Sequence, residues 1–190
     1  MHPFRKYLQQ YVPLSDLEWE AIAQCLRREE LKKGHILLPE GKICRKVYFL
    51  ERGYLRFFFS KDGQTISKFF TQPPNFFTVI RSFTQELPSD QGIEVLEDSV
   101  VWGMSRADAY RLYRFPKWGE FVREIIQKVQ LDTEDILEAI QTQTAEERYR
   151  EMLAQNDPIL QKAPLHYLAS YLGIAPQSLS RIRKKMLFRT

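Results

Sequence analysis

The chain has 190 residues, of which 44% are hydrophobic and 27% charged, and its net charge is +4. This composition is typical of a globular protein and excludes a disordered or fibrous one. Two cysteines are too few for a disulfide framework or a four-cysteine metal site, so we expect a cytoplasmic protein. No apolar stretch is long enough to cross a membrane, so we expect no membrane contact.

The first predicted element is an amphipathic helix near the N-terminus. Ser15 and Glu18 have the spacing of a capping box, and apolar residues recur through Leu26. We expect this helix to end before Leu31, because the period of the apolar residues changes there.

Short predicted strands follow, separated by turns that contain glycine. They are a short strand between two turns within residues 31–41, and residues 47–50, 54–59, 66–70, 92–96 and 100–104. Residues 61–64, Lys-Asp-Gly-Gln, have the composition of a hairpin turn. Because no helical pattern lies between the strands, the sequence favours an antiparallel jelly roll or barrel over a parallel sheet.

A long helix is predicted over residues 117–142, where apolar residues recur at spacings of three and four. Asp132 and Thr133 interrupt its apolar stripe, which suits a seam between two copies of the helix better than a buried core. The alternative is that the stripe packs on the sheet of its own chain. The predicted dimer seam consists of Val122, Ile125, Val129, Ile136 and Ile140.

A hinge is expected near Gln143, since a second capping box at Thr144 and Glu147 begins another helix. The predicted organisation is therefore a β domain with N-terminal helices at 1–116, the long helix at 117–142 and a small helical domain at 143–190.

The last forty residues have the spacing of a helix-turn-helix. Ala169 is followed four positions later by Gly173, and apolar Leu179 and Ile182 lie ten and thirteen positions after Ala169. Residues 158–190 contain six Lys or Arg and no Asp or Glu. The predicted partner of this segment is a polyanion.

These features together resemble the CRP/FNR family of transcription regulators, and most closely its branch abundant in Bacteroidetes. The resemblance implies an α+β protein: a cyclic-nucleotide-binding-like antiparallel jelly roll, a long dimerisation helix and a C-terminal helix-turn-helix. It also implies a homodimer that binds a near-palindromic site in double-stranded DNA, with RNA polymerase as a further candidate partner. The segments that carry the resemblance are residues 31–41, 48–53, 97–99, 148–149 and 168–183.

One part of the family pattern is missing. Members that bind cyclic nucleotides have a Gly-Glu pair and an arginine that hold the ribose and the phosphate, whereas residues 75–79 here are Asn-Phe-Phe-Thr-Val and residues 88–91 are Pro-Ser-Asp-Gln. We therefore expect weak or no binding of cyclic nucleotides, cyclic AMP included. A different, unknown effector is one expectation, in a pocket formed by Phe77, Thr78, Arg81, Ser82, Ser89 and Thr133. The other is that aromatic side chains pack this region shut.

The family pattern assigns roles in DNA binding to the helix that begins at Pro176. Arg181 would contact guanine and Gln177 adenine, and Ser180 also faces outward. The residues assigned to phosphates are Ser178, Arg183, Lys184, Lys185 and Arg189. Because the sequence stops at Thr190, we expect little or no β wing after this helix, and correspondingly modest affinity.

No enzymatic activity is expected, since no nucleophile elbow, P-loop or pair of catalytic carboxylates is evident. No metal or other cofactor is expected either, because His2, His35 and His166 lie in no metal-binding motif, although a haem site that uses His35 and Cys44 stays open. The alternative function is a ligand-binding or protein-interaction module that has lost DNA binding.

Overall fold

The computed structural model describes residues 1–187 of the chain. Two helices come first, α1 (Pro3–Leu8) and α2 (Asp16–Cys25). The predicted capping box is present at α2: Ser15 Oγ accepts a hydrogen bond from Glu18 N, and the Glu18 carboxylate accepts one from Ser15 N. The helix ends at Cys25, before Leu31 as predicted, and the residues after Leu26 form a strand.

Six strands form one antiparallel sheet within the described residues. The order is β1-β6-β3-β4, with β2 also paired to β6 and β5 also paired to β3, and the sheet is not closed into a barrel. The strands are β1 (Arg27–Leu31), β2 (Ile36–Leu38), β3 (Lys46–Lys61), β4 (Gln64–Thr71), β5 (Asn75–Phe77) and β6 (Gly92–Ser105).

The two longest strands correct the sequence prediction. Predicted strands 47–50 and 54–59 are parts of one strand, β3, and predicted strands 92–96 and 100–104 are parts of β6. Register shifts between β3 and β6 around Arg52 and Tyr54 keep the pairing continuous through a sequence that looks like a turn. Strand β1 was missed because its sequence, Arg-Arg-Glu-Glu-Leu, is charged, which is common in edge strands.

The remaining elements are mostly helical. Helix α3 (Ile80–Gln85) precedes β6, and α4 (Arg106–Arg111) and a 3-10 turn (Leu112–Arg114) follow it. The long helix α5 spans Pro116–Thr142, which confirms the predicted helix, and its C-cap Gln143 is extended. Helices α6 (Ala145–Ala154), α7 (Ile159–Lys162), α8 (Leu165–Leu172) and α9 (Pro176–Leu187) complete the described chain.

Three apolar clusters hold these elements together. Phe4 of α1, Phe49 of β3 and Trp118 and Phe121 of α5 belong to the first, so the start of α5 packs on the N-terminal helices and the sheet. The second fills the interior of the β domain, with Phe57 and Phe77 among its members. The third contains the cores of α6 to α9 together with two buried residues of the sheet, Tyr54 and Leu96. The C-terminal helices therefore pack directly on the sheet.

Among residues 1–187 there is no helix that is both long enough and apolar enough to cross a membrane. Nor does that part of the chain bring three or more His, Cys, Asp or Glu side chains together in a group that could hold a metal ion.

Candidate functional site

Helices α8 and α9 meet at a tight turn. Gly173 ends α8 in the left-handed conformation, with φ of 73°, and its N–H bonds back to the carbonyls of Ala169 and Ser170. Pro176 begins α9, where its missing N–H has no cost. Leu172 and Leu179 are fully buried at this crossing, so the apolar side of α9 is fixed against α8.

The other side of α9 is open to solvent and basic. Ser178 is half-buried, and the Ser180 hydroxyl donates to the carbonyl of Pro176. Residue Arg189 lies outside the described residues. The exposed residues among those predicted to bind DNA are Gln177, Ser180, Arg181, Arg183, Lys184 and Lys185.

One of these cations is paired within the chain. Lys185 Nζ lies 2.9 Å from Glu146 Oε1 on α6, and Glu146 also accepts a hydrogen bond from Arg150. For Arg181, Arg183 and Lys184 the structure of residues 1–187 gives no ion pair. Among residues 1–187, the ion pair of α9 is thus the one that Lys185 forms in the last turn.

Helix α6 ties the C-terminal helices together. Its predicted capping box is present, and the hydrogen bonds that the Glu147 carboxylate accepts from Thr144 hold the pKa of Glu147 below its usual range. Arg148 Nη2 donates to the carbonyl of Leu172 at 2.7 Å, which satisfies an acceptor at the C-terminus of α8. The Arg148-Tyr149 pair that marked this helix in the sequence is therefore structural: Tyr149 is buried in the third cluster.

A shallow cleft of about 200 Å³ lies beside α3 and includes half of the predicted effector pocket. Its lining contains Arg81, Ser82 and Ser89, together with Leu87, Pro88 and Asp90. Both serine hydroxyls are already used: Ser82 accepts from Cys44 N and donates to Leu87 O, and Ser89 donates to Gln91 O. Arg81 and Asp90 are the exposed charged groups of this cleft.

The other predicted pocket residues lie elsewhere. Phe77 belongs to the apolar interior of the β domain, and the Thr78 hydroxyl donates to the carbonyl of Lys46. Thr133 is exposed on α5, where its hydroxyl donates to the carbonyl of Val129. The single chain therefore does not assemble the predicted six-residue pocket.

Helix α5 divides the predicted dimer seam into two parts. Ile125 is buried in the first cluster and Val122 packs against that cluster, so both contact the chain's own core. In contrast Val129, Ile136 and Ile140 are 55%, 42% and 54% exposed. Ile126 and Leu137, at 52% and 53% exposed, extend this open apolar stripe. The interpretation that the stripe packs on its own sheet holds for the first part of α5 alone.

A polar contact between α8 and the sheet was not predicted from the sequence. Arg56 of β3 is 1% exposed and forms an ion pair of 3.0 Å with Glu94 of β6. The ring of Tyr167 covers the guanidinium, 3.5 Å from Cζ to the ring centroid. Burial, followed by the nearby Glu94 carboxylate, raises the pKa of Tyr167. The available signal was residues 54–59, Tyr-Leu-Arg-Phe-Phe-Phe, which are too apolar on both faces for a strand with one face in water.

Comparison with known protein families agrees with the β domain. Residues 28–114 match the family model described as a cyclic nucleotide-binding domain. The match begins within β1 and ends with the 3-10 turn after α4, so the β domain is similar to a cyclic nucleotide-binding domain. No curated protein matches the sequence at a significant level.

Solved structures share the fold over nearly the whole chain. A transcriptional regulator of the CRP/FNR family from Eubacterium rectale has a TM-score of 0.74 at 18% identity, covering 95% of this chain and 88% of that one. FixK2 from Bradyrhizobium japonicum has a TM-score of 0.72 at 17% identity, with coverages of 86% and 85%. The c-di-GMP-responsive regulator CLP from Xanthomonas campestris has a TM-score of 0.72 at 14% identity, with coverages of 92% and 93%. At these identities the likeness shows a common fold.

Proposed function

We propose that this chain is a DNA-binding transcription regulator of the CRP/FNR type, which binds a near-palindromic site as a homodimer. The observation that carries the proposal is the exposed basic face of α9, on a helix whose opposite face is fixed by a buried apolar contact with α8. Two helices with this turn are the arrangement of a helix-turn-helix, in which the second helix enters the major groove.

The distribution of charge on α9 favours a DNA-binding face over a solvent-exposed face that has no partner. The helix dipole favours cations in the last turn, and Lys184 and Lys185 are there. Arg181 is near the middle of α9, where the dipole gives no such preference, and it is exposed four residues after Gln177. One helical turn separates these two side chains, so both can reach base edges in one groove, as the assigned guanine and adenine contacts require.

The phosphate contacts fall to the ends of the same helix. Ser178 lies in the first turn of α9, and Arg183 and Lys184 lie in its C-terminal half. Lys185 forms an ion pair with Glu146 when no DNA is bound, so a contact between Lys185 and a phosphate would compete with that ion pair. We therefore assign Lys184 the main role among the two lysines.

The open stripe of α5 supports the dimer. Ile126, Val129, Thr133, Ile136 and Ile140 follow spacings of three and four, which is the pattern of a two-stranded coiled-coil seam. A two-fold axis along this stripe would give two copies of α9, which would lie about 34 Å apart in successive major grooves.

Control by cyclic AMP is not part of the proposal. The serine hydroxyls of the cleft bond to backbone groups, and Asp90 would repel an anion beside Arg81. An effector of another chemical class, or none, fits these observations better.

Selection of bound sequences from a pool of random duplexes by the purified full chain tests the proposal. We expect a two-fold symmetric motif with half-sites one helical turn apart. Arg181→Ala should lose preference at one guanine position, by about 1–3 kcal/mol, whereas Lys184→Ala should weaken all sequences alike and lower the salt slope by about one. Recovery of no motif, or equal effects of the two variants on every sequence, would contradict the proposed function.

A further inference from the structure

Arg56 is buried on the outer face of the sheet. Its neighbours Leu55 and Phe57 point into the apolar interior of the β domain, so Arg56 points the opposite way, toward the C-terminal helices. Its Nε donates to Ser67 Oγ at 2.8 Å and its Nη1 donates to Glu94 Oε2 at 3.0 Å. Its Nη2 donates to the hydroxyl of Thr65 at 2.9 Å. All three guanidinium nitrogens therefore have partners on β4 or β6.

Helix α8 provides further contacts to Arg56 and to strand β4. The Tyr167 ring stacks on the Arg56 guanidinium, and the Tyr167 hydroxyl donates to Glu94 Oε1 at 3.1 Å. Ser170 Oγ accepts the backbone N–H of Ser67 at 3.1 Å. In the described chain β4 pairs with β3 alone, so Ser170 satisfies an amide at an edge of the sheet.

Flanking contacts extend the same interface. Lys162 Nζ lies 2.8 Å from Glu97 Oε2, and Tyr171 packs edge-on against Phe70 with ring centroids 5.6 Å apart. Apolar contacts alone would tolerate sliding, but a buried ion pair with directed hydrogen bonds has one geometry in which every group is satisfied. The interface thus specifies an orientation of α8, and with it an orientation of α9.

The docked arrangement leaves the basic face of α9 uncovered. Tyr167 and Ser170 on α8 make the contact with the sheet, while Gln177, Arg181 and Lys184 on α9 stay exposed. The contact therefore does not block the face assigned to DNA.

We propose that Arg56 is a positioning residue: with Glu94, Tyr167 and Ser170 it forms an interdomain lock that fixes α9 relative to the sheet, and so determines which half-site spacing the dimer accepts. The spacing part of this inference rests on the proposed function. Without the lock, the C-terminal helices would keep the apolar contacts with Tyr54 and Leu96 and the flanking contacts of Lys162 and Tyr171. These contacts do not specify one orientation, so α9 could adopt several.

Two variants on α8 remove the lock and spare the cores. Tyr167→Ala deletes the ring and the hydroxyl, and Ser170→Arg places a second cation beside Arg56. Neither position belongs to the fully buried core of the C-terminal helices, which includes Leu168 and Leu172. Gln161→Ala, at an exposed position on α7, is the matched control.

Hydrogen exchange of the Ser67 amide in the DNA-free full chain measures the lock itself. We expect exchange to accelerate by roughly tenfold or more in both lock variants, because the loss of a hydrogen bond and a stacked ring corresponds to about one power of ten in a local equilibrium. The control should match the wild type. Unchanged exchange at Ser67 in the lock variants would overturn the proposal.

Binding to duplexes whose half-sites are moved by one or two base pairs measures the consequence. The wild type should prefer one spacing, whereas the lock variants should bind all spacings with similar affinity and keep wild-type affinity for a single half-site. If the variants exchange faster at Ser67 but keep the wild-type spacing preference, the lock does not set the spacing and this inference is wrong. If the wild type binds no duplex, the proposed function and the spacing role both fail, and the exchange result still decides whether the lock holds α8.

Discussion

At the scale of single residues, Gly53 allows β3 to pass close to β6. Its φ is +111°, a conformation that residues with a Cβ rarely adopt. A Cβ built on Gly53 would lie 1.9 Å from Ser99 Oγ and 2.7 Å from Ser99 Cα, so part of the clash is with backbone that cannot rotate away. The position therefore combines backbone strain with a steric conflict at the bend of the longest strand.

We expect Gly53→Ala to lower the free energy of unfolding by about 3 kcal/mol, the sum of the strain and the clash. Gly63→Ala is the matched control, since Gly63 also has positive φ, 75°, but no atom within 4 Å of a built Cβ. Its cost should be about 1 kcal/mol. Urea denaturation of both variants measures the difference in the free energy of unfolding. Equal losses in the two variants would contradict the prediction, because the clash with Ser99 would then cost nothing.

Residues whose partners are near in sequence were predictable, and those with distant partners were not. The capping boxes at Ser15 and Thr144 were correct because each closes within three residues. Arg56 meets Tyr167 only after the chain folds over 111 positions, and no local pattern specifies that contact. The same holds for the serines of the predicted pocket: the sequence shows that they are polar, but it does not show which backbone groups they bond to.

At the scale of elements, α5 performs two tasks along its length. Trp118, Phe121 and Ile125 anchor its first turns in the core, whereas Val129 to Ile140 present an apolar stripe to solvent. The periodicity predicted the helix and its bounds, because helical periodicity is local. It did not predict where the core contact ends, since that depends on how far the N-terminal helices and the sheet extend beside α5.

We expect the double variant Val129→Glu and Ile136→Glu to dissociate the proposed dimer. Burial of an unpaired carboxylate costs about 3 kcal/mol or more, so the dissociation constant should rise by at least about a hundredfold. Leu131→Glu is the control: Leu131 is 60% exposed and projects from roughly the opposite side of α5. Sedimentation equilibrium distinguishes the outcomes, and a monomeric wild type or a dimeric double variant would contradict the assigned seam.

At the scale of the whole molecule, the net charge of +4 is small, so the attraction of a polyanion depends on where the charge lies. Paired charges occupy the β domain, as in Lys32 with Asp98 and Arg106 with Glu86, while α9 keeps cations without an ion pair in residues 1–187. The α+β fold and its antiparallel sheet were predictable from patterning. The packing of α8 on the sheet was not, and it makes the sheet and the C-terminal helices one connected structure.

We expect cyclic AMP to leave the thermal stability of this structure unchanged. At about 1 mM nucleotide, a site with a Kd of about 10 μM would stabilise the protein by about 2.7 kcal/mol and raise Tm by several degrees. We expect a shift below about 1 °C for cyclic AMP and cyclic GMP, since the serine hydroxyls of the cleft bond to the chain itself and Asp90 opposes an anion there. Differential scanning calorimetry at matched ionic strength measures the shift. A larger shift that disappears in Arg81→Ala would contradict this expectation. It would place a cyclic nucleotide in the cleft, because Arg81 is the cation of the cleft lining. The effector would then bind beside α3.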